Sequence, residues 1–209
     1  FHWRGWWDFG TGAGGDMACH ILDPVFTALQ LEAPTLVQAT GPEPDSDSGP
    51  EWCEVKYTFD GTSRTSESLT VTWYEAGRKP DRALFKAPDD WAGSDNGILF
   101  VGEKGNLFVG FPEPPQLFPA GDFADYQMPN HAEDNHYTQW TQAILGEGKT
   151  CCPFEFAGPL TEAVLLGNVA FRTKREVIWD ARLMMARGNE AAEALIRRSY
   201  RNGWEVEGL

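Results

Sequence analysis

Asp16 and His20 stand four residues apart in the run Gly15-Asp16-Met17-Ala18-Cys19-His20. That spacing places two side chains on one face of an α-helix. A carboxylate beside an imidazole makes a proton-transfer pair, because histidine titrates near neutrality and a neighbouring carboxylate orients the ring and favours its charged form. Asp23 continues the same face at the seventh position. The spacing is equally compatible with a solvated pair, since an acid near a helix start is favourable in its own right. His131 and His136 flank Glu133 and Asp134. They can line a pocket, hold a metal together with Asp16 and His20, or accompany a helix start, for which Asp134 and Asn135 are good caps. Cys19, Cys53, Cys151 and Cys152 show no CxxC spacing, so no zinc ligand set is assigned.

Gly10, Gly12 and Gly15 match G-x-G-x-x-G, and Glu32 lies roughly where a ribose-binding acid is sought. A dinucleotide fingerprint needs a buried strand running into the first glycine and a parallel strand after the helix. The preceding Trp-Arg-Gly-Trp-Trp-Asp-Phe is no such strand, and Glu32 falls at a helix end. The segment reads as a turn feeding a helix, and no cofactor-binding residue is assigned within the chain.

The elements that must position these residues are legible in the periodicity. Met17, Ile21, Val25 and Leu29 recur every four residues, predicting a helix over 15–31. Pro24 predicts a kink or a restart, with Asp23 as the new cap. Alternating Val, Thr, Tyr and Trp predict strands over 35–41, 51–59 and 68–75. Residues 97–102 and 106–110 form a hairpin pattern, and the proline-rich 111–133 reads as a long surface loop. Helices are expected over 134–145, ending at Gly146, over 160–172 and over 190–200, with a short strand at 176–179. A helix, a run of antiparallel strands and further helices predict an α+β fold: an open, mostly antiparallel sheet with helices packed on one face.

The net charge of −14, with a pI near 4.6, argues against nucleic acid as a partner. No apolar run reaches the length of a membrane helix, so no membrane is expected. The 209 residues and 42% hydrophobic content suit one globular domain. The sequence opens on Phe1, and its first residues read as the interior of a longer protein whose leader is open to question.

Four segments in order resemble a known family, the Gfo/Idh/MocA oxidoreductases: residues 3–24, the 131–148 block, 154–173, and the closing Tyr-Arg-Asn-Gly-Trp at 200–204. The resemblance implies that residues 1–209 are a single C-terminal substrate-binding and catalytic domain, whose N-terminal Rossmann domain, binding NAD or NADP, is not in this sequence. It implies that His20 transfers the proton, that Asp16 supports it, and that a lysine from the other domain completes the set. The substrate is then a sugar, a cyclitol or a glycoside, with Trp6, Trp7, Asn130 and His131 as substrate-binding candidates. The expected partners are the chain's own N-terminal domain and further copies meeting through the open sheet. The cytoplasm is the expected compartment, or the periplasm if a leader precedes the chain. The alternatives are a non-catalytic carbohydrate-binding or oligomerisation module, an NAD-assisted glycoside-cleaving enzyme, and a metal-dependent enzyme.

Overall fold

The computed structural model describes residues 2–111, 113–130, 135–197 and 199–207. In chain order the elements are α1 (Gly12–Leu29), β1 (Leu36–Thr40), β2 (Glu54–Asp60), β3 (Ser68–Tyr74), β4 (Gly97–Val101), β5 (Asn106–Gly110), β6 (Gln116–Phe118), α2 (His136–Leu145), α3 (Phe154–Thr173), β7 (Val177–Asp180), β8 (Met185–Ala186) and α4 (Glu190–Ile196). Two open antiparallel sheets, ordered β3-β2-β1-β7-β8 and β4-β5-β6, make the fold α+β. Two compact units divide the chain: Phe1–Arg78 with Leu160–Leu209, and Lys79–Pro159.

In the first unit, strand alternation sorts side chains into two faces. Val37, Val55, Tyr57, Phe59, Trp73, Val177 and Trp179 are buried, while Gln38, Lys56, Thr70 and Glu176 point to solvent. Ala18, Ile21, Leu22, Val25 and Phe26 of α1 join the buried set, as do Leu160, Ala163, Val164, Leu166, Ala170 and Phe171 of α3. Phe26 meets Phe59 edge to face at 5.6 Å, a favourable aromatic geometry. The close approach of α3 to β2 depends on Gly167. A Cβ there would stand 2.4 Å from the Tyr57 hydroxyl and 3.3 Å from a Val55 methyl.

Helix α1 differs from its sequence pattern at both ends and in the middle. It begins at Gly12 rather than Gly15, and it runs through Pro24 without restarting. It closes on Gln30 in the left-handed conformation, φ 55°. Helix α3 likewise starts earlier than the apolar pattern, at Phe154, and contains Pro159.

The second unit is a β4-β5-β6 meander built around Trp91, whose ring packs on Phe85, Phe108 and Phe118 at 5.0–5.2 Å. The Trp91 indole N–H donates to Gln116 at 2.9 Å. Asn106 is fully buried and donates to the Leu84 carbonyl at 2.5 Å. The stretch 111–133, expected as loop, contributes β6 and a short 3-10 turn, Ala120–Phe123. Helix α2 has the predicted capping chemistry. Asn135 accepts from the backbone N–H of Tyr137 and Thr138, both at 3.1 Å, and Gly146 closes the helix at φ 75°.

Gly167→Ala would force a methyl against the buried Tyr57 hydroxyl. The expected cost is about 1–3 kcal/mol of unfolding free energy, read as a lower denaturation midpoint at unchanged slope. An unaltered midpoint would contradict this packing.

Candidate functional site

The solvent face of α1 carries the predicted pair. Burial of Ala18, Ile21, Leu22, Val25 and Phe26 turns the opposite side outward, so Asp16 and His20 are exposed and Asp23 half-buried. The Arg4 guanidinium, from the 3-10 turn His2–Gly5, bonds the Asp16 carboxylate, forming an ion pair that is partly exposed on both sides. Sequence reasoning does not single out Arg4. It lies twelve residues before Asp16 in an aromatic run with no periodicity, and pattern reasoning has no handle there. Cys19, on the same helix, has its thiol pushed up by burial and then by the Asp16 charge.

The aromatic residues before α1 have separate environments. Trp6 is 48% exposed and makes an isolated antiparallel bridge with Ser48. Trp7 is half-buried: its indole N–H donates to the Asp45 carbonyl at 3.2 Å, and Arg172 lies over its ring at 4.9 Å. Asp45 is fixed in turn by the N–H groups of Asp47 and Ser48, at 2.8 and 2.9 Å, which lower its carboxyl below the usual range. Trp3 and Phe9, both 66% exposed, form an edge-to-face pair at 4.9 Å. Asn130 is exposed in the segment before α2. His131, with Glu133 and Asp134, lies outside the described residues. Among the described residues no three His, Cys, Asp or Glu side chains gather as metal ligands. No described helix is long and apolar enough to cross a membrane.

The glycine segment is filled by the protein's own atoms. A Cβ on Gly15 would meet the Thr11 side chain at 2.1 Å, and one on Gly14 would meet Glu75 Oε2 at 3.2 Å. The chain ahead of Gly10 is a 3-10 turn and a single bridge residue, Trp6. A pyrophosphate cradle needs free backbone at the end of a parallel strand, and this arrangement does not fit one.

Glu75 is a second residue that sequence reasoning misses, because it closes a strand pattern. It continues the inward phase of Trp73, and that phase is the signal that marks it. Glu75 is 9% exposed and accepts from the Trp73 indole at 3.1 Å. Burial raises its carboxyl above the ordinary 4.5, against the partial opposition of that hydrogen bond. Cys53, its neighbour across the strand pair, is pushed up to about 12 by burial, with Glu75 and Glu54 adding to the shift.

A carboxyl whose folded-state pKa is raised stabilises the fold below its ordinary value of 4.5, and that contribution disappears as pH climbs through the raised value. Glu75→Gln removes this dependence. Urea unfolding over a pH series rising from the ordinary carboxyl value of 4.5 should show the variant gaining on the wild type as pH rises. A variant that loses ground at the higher pH would show that the ionised carboxylate is stabilising in place.

Residues 1–68 match the family model described as the oxidoreductase family, C-terminal alpha/beta domain, GFO_IDH_MocA_C2. The matched segment carries Asp16 and His20. No curated protein is similar enough to the chain to match it. Among solved structures, the WlbA dehydrogenase of Chromobacterium violaceum, in complex with NADH and UDP-GlcNAcA, aligns with a TM-score of 0.52 at 17% identity, over 87% of this chain and 50% of its own. A protein of Bordetella bronchiseptica RB50 aligns at 0.48 and 14% identity, over 80% of this chain and 55% of its own. At these identities the likeness concerns the fold. The chain spans about half the length of these solved relatives.

Proposed function

We propose that the chain is the C-terminal, substrate-binding and catalytic half of an NAD(P)-dependent oxidoreductase that acts on a hydroxyl of a sugar, cyclitol or glycoside. The observation that carries this reading is the solvent-facing Asp16–His20 pair on α1, inside the segment that matches the oxidoreductase family. The fold shared with a dehydrogenase crystallised with NADH and UDP-GlcNAcA supports a nicotinamide cofactor and a sugar-bearing substrate. The glycine segment does not fit a dinucleotide, so the nicotinamide is assigned to a separate nucleotide-binding domain, and this chain's share of the chemistry is the proton. His20 takes the proton of the reacting hydroxyl in the oxidative direction and returns it in the reductive one. Asp16 is assigned the orientation of the imidazole, and its carboxylate is bonded by Arg4. Trp6, Trp7, Asn130 and His131 are each proposed as substrate-binding residues. Copies of the chain are proposed to associate through the open face of the five-stranded sheet.

A carbohydrate-binding module without catalysis is the second reading, favoured by the exposed Trp3, Trp6 and Phe9. It predicts sugar binding indifferent to loss of His20.

The deciding measurement uses the full-length protein, screened with sugars and cyclitols for NAD(P)-linked absorbance change beside His20→Ala. The expected result is turnover in the wild type, reduced by roughly 100- to 10,000-fold in the variant at similar cofactor affinity. Equal activity in the two would return His20 to a solvated surface residue. Light scattering on the same preparation tests association, and a strictly monomeric species at high concentration would argue against the sheet interface.

A further inference from the structure

The first turn of α1 has no cap of its own. Thr11, at the cap position, makes no side-chain bond to the helix, although helix starts ordinarily satisfy their free N–H groups in this way. The turn is held by its tertiary neighbours. From one side, Asn168 of α3 donates its amide to the Thr11 carbonyl at 2.8 Å. From below comes the end of the third strand. Glu75 donates its own backbone N–H to the Cys53 carbonyl at 3.1 Å, which fixes it to the start of β2, and its carboxyl is held by the Trp73 indole. The open side of Gly14 faces that carboxyl. A Cβ at this position would stand 3.2 Å from Oε2, and 3.8 Å from both Asn168 Oδ1 and Trp73 Nε1. The space left between these groups is about 10 Å³, bordered by Thr11, Gly12, Cys53, Tyr57 and Asn168. That is room for one water at most.

We propose that Glu75 is a positioning residue of the α1 site: its buried carboxyl seats the glycine turn at Gly14, and so fixes where Asp16 and His20 stand two and six residues further along the same rigid helix. The inference rests on the reading of Asp16 and His20 as the proton-transfer pair. It also accounts for the glycine at position 14, where a Cβ would crowd the carboxyl at 3.2 Å. Burying a carboxyl is costly, and the same volume filled by an apolar side chain would lose both the Trp73 bond and a fixed polar surface under the turn. The ionisable groups facing the carboxyl are the Cys53 thiol and the Tyr57 phenol of β2, both pushed up by burial and so carrying their protons.

The test uses the full-length oxidoreductase with five variants. Glu75→Ala removes the seat. It is expected to lower kcat by about 10- to 100-fold through misplacement of the reacting groups, with KM and cofactor affinity within a few-fold and the folded fraction unchanged. Glu75→Gln keeps the shape and the Trp73 bond, and is expected to stay within about three-fold of wild type. Gly14→Ala pushes on the carboxyl from above and is expected to lower kcat. Combined with Glu75→Ala, its methyl enters the vacated space and activity recovers, a non-additive pair. The His20 ring signals in proton–carbon NMR spectra should move in Glu75→Ala and return in the double variant. Loss of thermal stability with kcat per folded molecule unchanged, in either single variant, would reduce Glu75 to a structural residue and overturn the proposal. His20→Ala separates the two levels. If it leaves kcat intact, the underlying reading fails, whereas if it abolishes kcat while Glu75→Ala does not move it, only the seat fails.

Discussion

The inner face of the five-stranded sheet carries Tyr57, Phe59, Trp73 and Trp179 beside three valines, and an apolar face of that kind must be covered. Helices α1 and α3 cover it, and this requirement fixes the rotation of α1 about its own axis. Once Ile21, Leu22, Val25 and Phe26 turn inward, the geometry of 3.6 residues per turn sends Asp16 and His20 outward. The same requirement settles the competition at Pro24. A proline inside a helix costs about 3 kcal/mol, while burying a Val or Phe side chain gains about 1.5–3 kcal/mol each. Val25 and Phe26, both fully buried, directly follow the proline. Packing of the second half of α1 outweighs the local break, and one continuous helix results.

Beneath the start of that helix the core changes character. Glu75, Cys53, Tyr57, Trp73 and Asn168 form a polar corner in an otherwise apolar layer. Burial keeps protons on the thiol and the phenol and favours the neutral carboxylic acid, so the corner avoids the full cost of unpaired charge. By contrast, the charges of the α1 site lie outside. Asp16 meets Arg4 in partial solvent, where an ion pair contributes little to stability but can hold a side chain in place.

Much of this architecture is legible in the sequence. Strict alternation places β1, β2 and β3 within a few residues, because one face of each is buried and register admits no slip. The β4–β5 hairpin and the Asn135 and Gly146 caps reflect local turn and cap chemistry. What escapes is decided by tertiary contact. β6 has three residues and β8 two, too short to carry a period, and each exists only because a longer strand offers an edge. The early starts of α1 and α3 include glycines and prolines that propensity alone would exclude. At the site, the Asp16–His20 pair is visible as an i,i+4 spacing. Arg4 bonds Asp16 from a 3-10 turn and Glu75 faces Gly14 from a strand end, and no linear pattern connects those positions. The role of the glycines becomes clear only when Glu75, Asn168 and Thr11 are seen to fill the space beside them.

Pro24 has one more effect, and it falls on His20. In a regular helix the carbonyl of residue 20 receives the amide hydrogen of residue 24, and proline has none to give. The backbone ladder of α1 therefore lacks the donor ordinarily addressed to His20. His20 thus combines an exposed position on the helix with a main-chain oxygen short of its usual helical donor.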